Sequence, residues 1–457
     1  MQPIIINFKN HLRVEDNPLL IYAASIGKPV IPVWINSGSA RGAASKVWLK
    51  ESLQTLEIKL KGLGLSLIIR EGDETEELKK LSEESFADEI KGEARNTLFN
   101  PKTIRNKSGG VFKVFTPYYK HCLTLDEESI HNNFKKELVS IKELKRKLNC
   151  SFDCSKLKTI KIENLDFRLK NQNQWQEKIL RDWVPGEEGA IQELKRFLSD
   201  DIESYPEARD QPALKGTSRL SSHLHFGEIS PFRVWLEVSK AENSKAHAAY
   251  LRQLVWREFA IYTLFHFPHS ANKNLDTKFD TFPWKKDPEG LKLWQKGLTG
   301  YPIVDAGMRE LWETGWMHNR VRMVVGSFLV KDLLVHWTEG AEWFWETLFD
   351  ADLANNSMGW QWVAGSGVDA SPYFRVFNPS LQSEKFDKEA KYIRKWCPEL
   401  SKLDNKWLHK PFEAPPLILQ AAGIELGKDY PKPIVNHKEA RERALAALKT
   451  IKKIQTV

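Results

Sequence analysis

Cysteine is scarce in this sequence: Cys122, Cys150, Cys154 and Cys397 are four in 457 residues, and no two of them form a C-x-x-C pair. Too few and too scattered for a disulfide framework, they exclude a small secreted scaffold and a zinc ribbon, and they point to a reducing, cytoplasmic setting. Long apolar runs are missing as well. The run at the start is far shorter than the roughly 7 to 15 residues of a signal h-region, and no later stretch reaches the about 18 that a membrane span needs. Neither export nor membrane insertion is expected. No G-x-G-x-x-G follows the first apolar run, so the dinucleotide fingerprint is absent. Nor does one sign of charge dominate: a net charge of +8 permits an acidic partner such as nucleic acid without requiring one.

What is present begins with size, because a chain of this length outgrows a single core. Ile4–Phe8, Val30–Ile35 and Leu65–Arg70 read as apolar strands, with helical periodicity over Pro18–Ser25 and Lys46–Leu63 between them. This βαβαβ order predicts a parallel sheet covered by helices. Residues 126–186 are dense in Lys and Glu with little sustained periodicity, which suits a linker with some helix. Beyond Pro185 the apolar spacing is helical nearly throughout, with Gly227 and Ser230-Pro231 punctuating a helix stop and start. The expected fold is therefore an α/β parallel-sheet, Rossmann-like domain (residues 1–125), a linker (126–186) and an all-α domain (187–457).

Tryptophan is abundant, at 17 residues, and core filling accounts for most of them. Four segments carry more. Thr217-Ser218-Arg219-Leu220-Ser221 reads as a helix start whose hydroxyls and free N–H groups suit a phosphate, although an isolated T-S-x-x-S is more often a plain cap. Gly315 to Met323 reads as a helix with Asn319, Arg322, Met323 and Gly326 on one face, and a buried Arg322 needs an anion, Asp350 or Asp352. Asn355-Asn356-Ser357-Met358-Gly359-Trp360-Gln361-Trp362 and Ala370-Ser371-Pro372-Tyr373-Phe374-Arg375-Val376-Phe377-Asn378-Pro379 follow. His223, His225, His266 and His269 read as structural histidines and not as metal ligands.

In this order, from about Trp183 to His437, these segments resemble the photolyase and cryptochrome family, most closely bacterial photolyases for cyclobutane pyrimidine dimers. The resemblance implies a bent FAD in the helical domain, with Tyr205, Thr217, Ser218, Leu220 and Ser221 around its phosphates and ribityl chain. Arg322 and Asp350 match the ion pair beside the isoalloxazine, Asp352 the carboxylate at its edge, and Asn356 the residue facing N5. Trp360, Trp337 and Trp284 match an electron-transfer chain to the surface. Trp256 and Trp362 match aromatic walls for a dimer flipped out of UV-damaged DNA. Gln253, Asn319 and Met323 match residues lining that pocket, and Arg257 and Arg375 match cations near the lesion and its backbone. Photoinduced electron donation from reduced FAD, ring splitting and return of the electron would follow, without a metal and in a monomer.

The sequence also departs from the family. Gln253 stands where dimer photolyases usually carry Glu, and glutamine cannot donate a carboxylic proton. Photolyases for (6-4) lesions resemble it there, but Asn319 and Met323 stand where those enzymes place histidines. Asn356 favours repair over signalling, since plant-type photoreceptors carry Asp at that place and animal types Cys; no long extension after His437 points the same way. A cryptochrome-like blue-light photoreceptor, a (6-4) or single-strand-preferring photolyase and a DNA-binding flavoprotein without repair are the alternatives. The family start W-F-R-x-D-L-R appears as Asn7-Phe8-Lys9-Asn10-His11-Leu12-Arg13, and the stretch before Val111 is short. An antenna chromophore, folate or deazaflavin, is thus expected to bind weakly or not at all.

Overall fold

Apolar strands alternating with helices need cover on both faces of their sheet, and the computed structural model supplies it. β1 (Ile4–Asn7), β2 (Val30–Asn36) and β3 (Ile68–Glu71) alternate with α1 (Pro18–Ile26) and α2 (Ala43–Gly62), and α3 (Glu74–Ser85) leads to β4 (Glu89–Lys91). β4 is too short and too polar to stand out in the sequence. The sheet is parallel in the order β3-β2-β1-β4, with Ile5 beside Ile31 and Val33 beside Ile68. Ile5, Ile31, Val33, Ile35, Ile68 and Leu81 fill one core under it. α1 starts where the Asn17 side chain accepts from the Leu19 and Leu20 amides, with Pro18 in its first turn, and stops at the left-handed Gly27.

The structure describes residues 1–38, 42–92, 96–125, 140–165, 167, 173–240, 244–369 and 374–453. Within the stretch read as a linker, residues 126–139, 166 and 168–172 lie outside the described residues, as do residues 370–373 of the segment leading to Arg375. Two compact units emerge. One comprises Met1–Thr103, Tyr119–Asp200 and Ser218–Leu254; the other comprises Ile104–Tyr118, Asp201–Thr217 and Val255–Val457. The expected fold class holds, a parallel α/β segment followed by a helical remainder, but the chain enters each unit three times.

In the sheet-bearing unit, the N-terminal segment is tied to helices far along the chain. Gly227, at φ 67°, ends the helix Ser221–Phe226. A Cβ there would sit 2.1 Å from the Asn10 carbonyl oxygen, so only glycine admits both that backbone angle and that approach. The Leu12 amide donates to the Phe226 carbonyl at 3.1 Å. Buried Arg13 pairs with Asp16 and donates to the Gly227 carbonyl at 3.0 Å. Trp48 donates its indole N–H to Glu228 at 2.8 Å, and the other carboxylate oxygen of Glu228 holds His223 at 2.5 Å. His223 is thus a structural histidine, as the sequence reading expects.

The other unit is helical, and its core joins Pro302–Thr314, Asn319–Ser327, Trp337–Thr347 and Leu353–Ala364. Buried Asp305 organises the first of these. Its carboxylate accepts from the Thr299 amide at 2.7 Å, the Thr299 hydroxyl at 2.6 Å, the Gly300 amide at 3.0 Å and the Tyr430 hydroxyl at 2.5 Å. A buried carboxylate is tolerated when its lone pairs are filled in this way.

Candidate functional site

The helix read from the sequence over Gly315–Met323 begins later, at Asn319. Gly315 is the left-handed stop of the preceding helix, with Phe349 packed where a side chain would stand. His318 is the N-cap, its Nδ1 accepting the Arg320 amide N–H at 3.2 Å. Burial pushes His318 down to about 4, which keeps the capping nitrogen free of a proton. This late start leaves Asn319 exposed in the first turn and Arg322 and Met323 half-buried one turn on.

Arg322 meets the anion that the sequence demanded. Its Nη2 donates to Asp350 Oδ2 at 2.9 Å and its Nε to the Met317 carbonyl at 2.7 Å. Asp350 Oδ1 is buried with no hydrogen-bond partner among the described residues. Asp352, the other candidate, instead caps the helix Leu353–Ala364, accepting from the Asn355 amide at 2.9 Å. One turn on, Asn356 donates its side-chain N–H to the Ala341 carbonyl at 2.9 Å. This bond fixes which end of the amide is spent on the protein.

The three tryptophans assigned to electron transfer fall into two ring clusters. Trp284 makes an edge contact with His336 at 5.0 Å, and His336 lies 5.7 Å from Trp337. Trp337 is fully buried and donates to Asn274 at 2.8 Å; half-buried Trp284 donates to the Phe279 carbonyl at 3.2 Å. Trp360 packs edge-on against Phe344 at 5.0 Å and Trp294 at 6.2 Å. Its ring also lies on the backbone at Gly340, where a Cβ would come within 2.1 Å of it. Gly340 is on the same helix as Trp337, so the lack of a side chain there brings the Trp360 ring to the helix that carries the next indole.

Trp256 is half-buried, and Phe115 covers one of its faces: the rings stack at 3.6 Å with 8° between planes. Phe115 was not singled out in the sequence. It backs the proposed wall so that the indole stands as a rigid plate. Arg257 pairs with buried Glu258 at 3.0 Å, an internal ion pair on the same helix. Trp362 is half-buried against the helical core, and Arg375 is exposed. Tyr205 is buried with Arg209 5.3 Å from its ring centre, and Thr217 is half-buried.

In the sheet-bearing unit, the Ser218 hydroxyl accepts from Tyr250 at 3.0 Å and from the Leu220 amide at 3.4 Å. Leu220 is buried and occupies the N-cap position of Ser221–Phe226, whose first turn has no side-chain cap. The plain-cap alternative for Thr217 or Ser218 is therefore corrected: neither is the N-cap. Ser221 is exposed, and Gln253 donates to the Ala249 carbonyl at 3.3 Å, one turn back on its own helix.

A flavin fits these donors. The Arg322–Asp350 pair offers a cation together with a carboxylate oxygen that has no donor among the described residues, and Asn356 is a neutral amide that can face an electron-rich ring without repelling it.

Comparison with known proteins agrees. Residues 4–94 match the family model described as DNA photolyase, and residues 250–450 match the FAD binding domain of DNA photolyase. The chain is 42% identical to a deoxyribodipyrimidine photo-lyase of Agrobacterium fabrum over 99% of its own length and 98% of the relative's. It is 34% identical to Cryptochrome-2 of Arabidopsis thaliana over 99% of its length and 79% of that protein. A solved bacterial class III photolyase from Agrobacterium tumefaciens superimposes with a TM-score of 0.90 at 41% identity, covering 99% of this chain and 98% of that one. The architecture is that of FAD-binding light-driven enzymes and photoreceptors. The chain belongs to the photolyase and cryptochrome family.

Proposed function

We propose that this chain is a deoxyribodipyrimidine photo-lyase that repairs cyclobutane pyrimidine dimers in UV-damaged DNA, acting as a cytoplasmic monomer. When bound and reduced, FAD supplies on illumination the electron that opens the cyclobutane ring and takes it back afterwards, so no net redox change results. Arg322 and Asp350 hold the flavin edge, and Asp352 stands at the head of the next helix. Tyr205, Thr217, Ser218, Leu220 and Ser221 keep the phosphate and ribityl assignments that the family resemblance implies. Trp360, Trp337 and Trp284 carry electrons inward. Trp256 and Trp362 stack on an extruded dimer, with Gln253, Asn319 and Met323 lining its pocket and Arg257 and Arg375 near the strand. The family resemblance assigns residues 1–125 to a shortened antenna-type domain, 126–186 to a connection and 187–457 to the catalytic domain, bounds that cut across the two compact units. Cytoplasmic action is supported by four free thiols; no described helix is long and apolar enough to cross a membrane.

The observation that carries repair over signalling is Asn356, a neutral amide anchored on Ala341. It can face a reduced flavin without adding charge, whereas a carboxylate there would repel it. Gln253 keeps a second reading alive, in which the protein binds the lesion and repairs it poorly. Illuminating the reduced protein with dimer-containing oligonucleotide and counting restored thymines separates the two. We expect repair, and more of it per photon in Gln253→Glu; no restored thymine from either protein would remove the repair assignment.

A further inference from the structure

Lys331 is a lysine with 4% of its surface exposed, and nothing in the mechanism above uses it. It lies in the π-helical turn Phe328–Asp332 that continues the helix Asn319–Ser327. π-helical turns inside longer helices recur at functional positions, because the extra residue re-aims side chains. Lys331 Nζ donates to the backbone carbonyl of Arg375 and sits 4.3 Å from the centre of the Phe374 ring. Four residues earlier on the same run, the fully buried Ser327 hydroxyl accepts the Phe377 amide at 3.1 Å. Two buried polar groups one turn apart therefore grip the backbone on both sides of Val376. Burial pushes the lysine down to about 7, a cost that methionine, with a similar shape, would avoid; either protonation state of the amine can donate to the carbonyl.

The same helical run presents Asn319, Arg322 and Met323 at its other end. It thus connects the proposed flavin pair and lesion pocket to the segment bearing exposed Arg375. We propose that Ser327 and Lys331 are positioning residues that hold Arg375 at a fixed reach from the lesion pocket, so that its guanidinium meets a DNA phosphate only when the dimer is seated. The inference rests on the reading of Arg375 as a strand contact. The grip acts on the Arg375 backbone and leaves its side chain exposed to bind, so its loss lowers affinity and not the chemistry of a bound dimer.

The test is a double-mutant cycle on the FAD-loaded protein with dimer-containing duplex DNA. Lys331→Met and Arg375→Ala are each expected to weaken binding about tenfold, while the double substitution is no weaker than Arg375→Ala alone. Flavin absorbance, and repair per photon at saturating DNA, should match the parent in Lys331→Met. Ser327→Ala, a milder change, gives a smaller loss that also vanishes in the Arg375→Ala background. If Arg375→Ala binds as the parent does, the reading of Arg375 is wrong. If Arg375→Ala weakens binding but Lys331→Met does not, or if their effects multiply, the positioning role is wrong. Should Lys331→Met lose its flavin, the Ser327→Ala cycle decides, and multiplicative effects there overturn the proposal.

Discussion

At the scale of single residues, the site is a set of polar groups already anchored within the fold. Arg322 is held by Asp350 and the Met317 carbonyl, Asn356 by Ala341, and Gln253 donates to Ala249, which restrains how each side chain can meet a ligand. Trp256 differs, because its partner is a ring. With Phe115 stacked on one face, the indole cannot rotate without breaking that contact. Stacking of a base on an aromatic plate is worth about 1–3 kcal/mol. Trp256→Ala is therefore expected to weaken binding of dimer-containing DNA roughly five- to 150-fold, while Trp256→Phe keeps most of it. Titration against salt-matched undamaged DNA checks this, and equal loss on both DNAs would mean the ring does not contact the lesion. The Arg322 partnership was legible in the sequence because a guanidinium on a core-facing helix calls for a carboxylate nearby, although the structure leaves Arg322 half-buried. Phe115 was not legible, since nothing in a sequence says which ring stacks on which.

At the scale of elements, helix starts and glycines aim the side chains. His318 caps the helix that bears Arg322 only while its Nδ1 is unprotonated. Its pKa lies at about 4 in the fold, chiefly through burial, against 6.5 unperturbed. The unfolded chain therefore takes up this proton first as pH falls. Stability contributed above pH 6.5 is lost between 6.5 and about 4, on the order of 2–3 kcal/mol. His318→Asn keeps a capping oxygen without a titrating ring. Urea unfolding between pH 7 and 4 should show a shallower loss in the variant, and parallel curves would rule out His318 as the source. The sequence placed this helix start too early because Gly315-Trp316-Met317 carries helical apolar spacing. What overrides it is the left-handed Gly315 and the Phe349 ring beside it.

At the scale of the whole molecule, each compact unit gathers stretches from three parts of the chain. The sheet-bearing unit depends on Gly227, where the backbone of Asn10 passes 2.1 Å from the place of a Cβ. Gly227→Ala adds that clash to a left-handed angle and should cost about 2–4 kcal/mol. Thermal unfolding with the helical unit's tryptophan fluorescence as a second probe would register it. A loss below about 1 kcal/mol would mean that the Asn10–Arg13 segment can shift at little cost.

Hydrophobic periodicity by itself determined the parallel α/β start, the helical remainder and the helix boundaries at Gly227 and Ser230, because these depend on local spacing and turn chemistry. The order and kinds of residues from Trp183 to His437 were enough to point to the photolyase and cryptochrome family. Only the tertiary structure decided that Gly340 admits the Trp360 ring to the Trp337 helix and that Lys331 grips the backbone of Arg375. Those are choices among chemically equivalent partners at long sequence separation, and they are settled by which side chains packing leaves within reach.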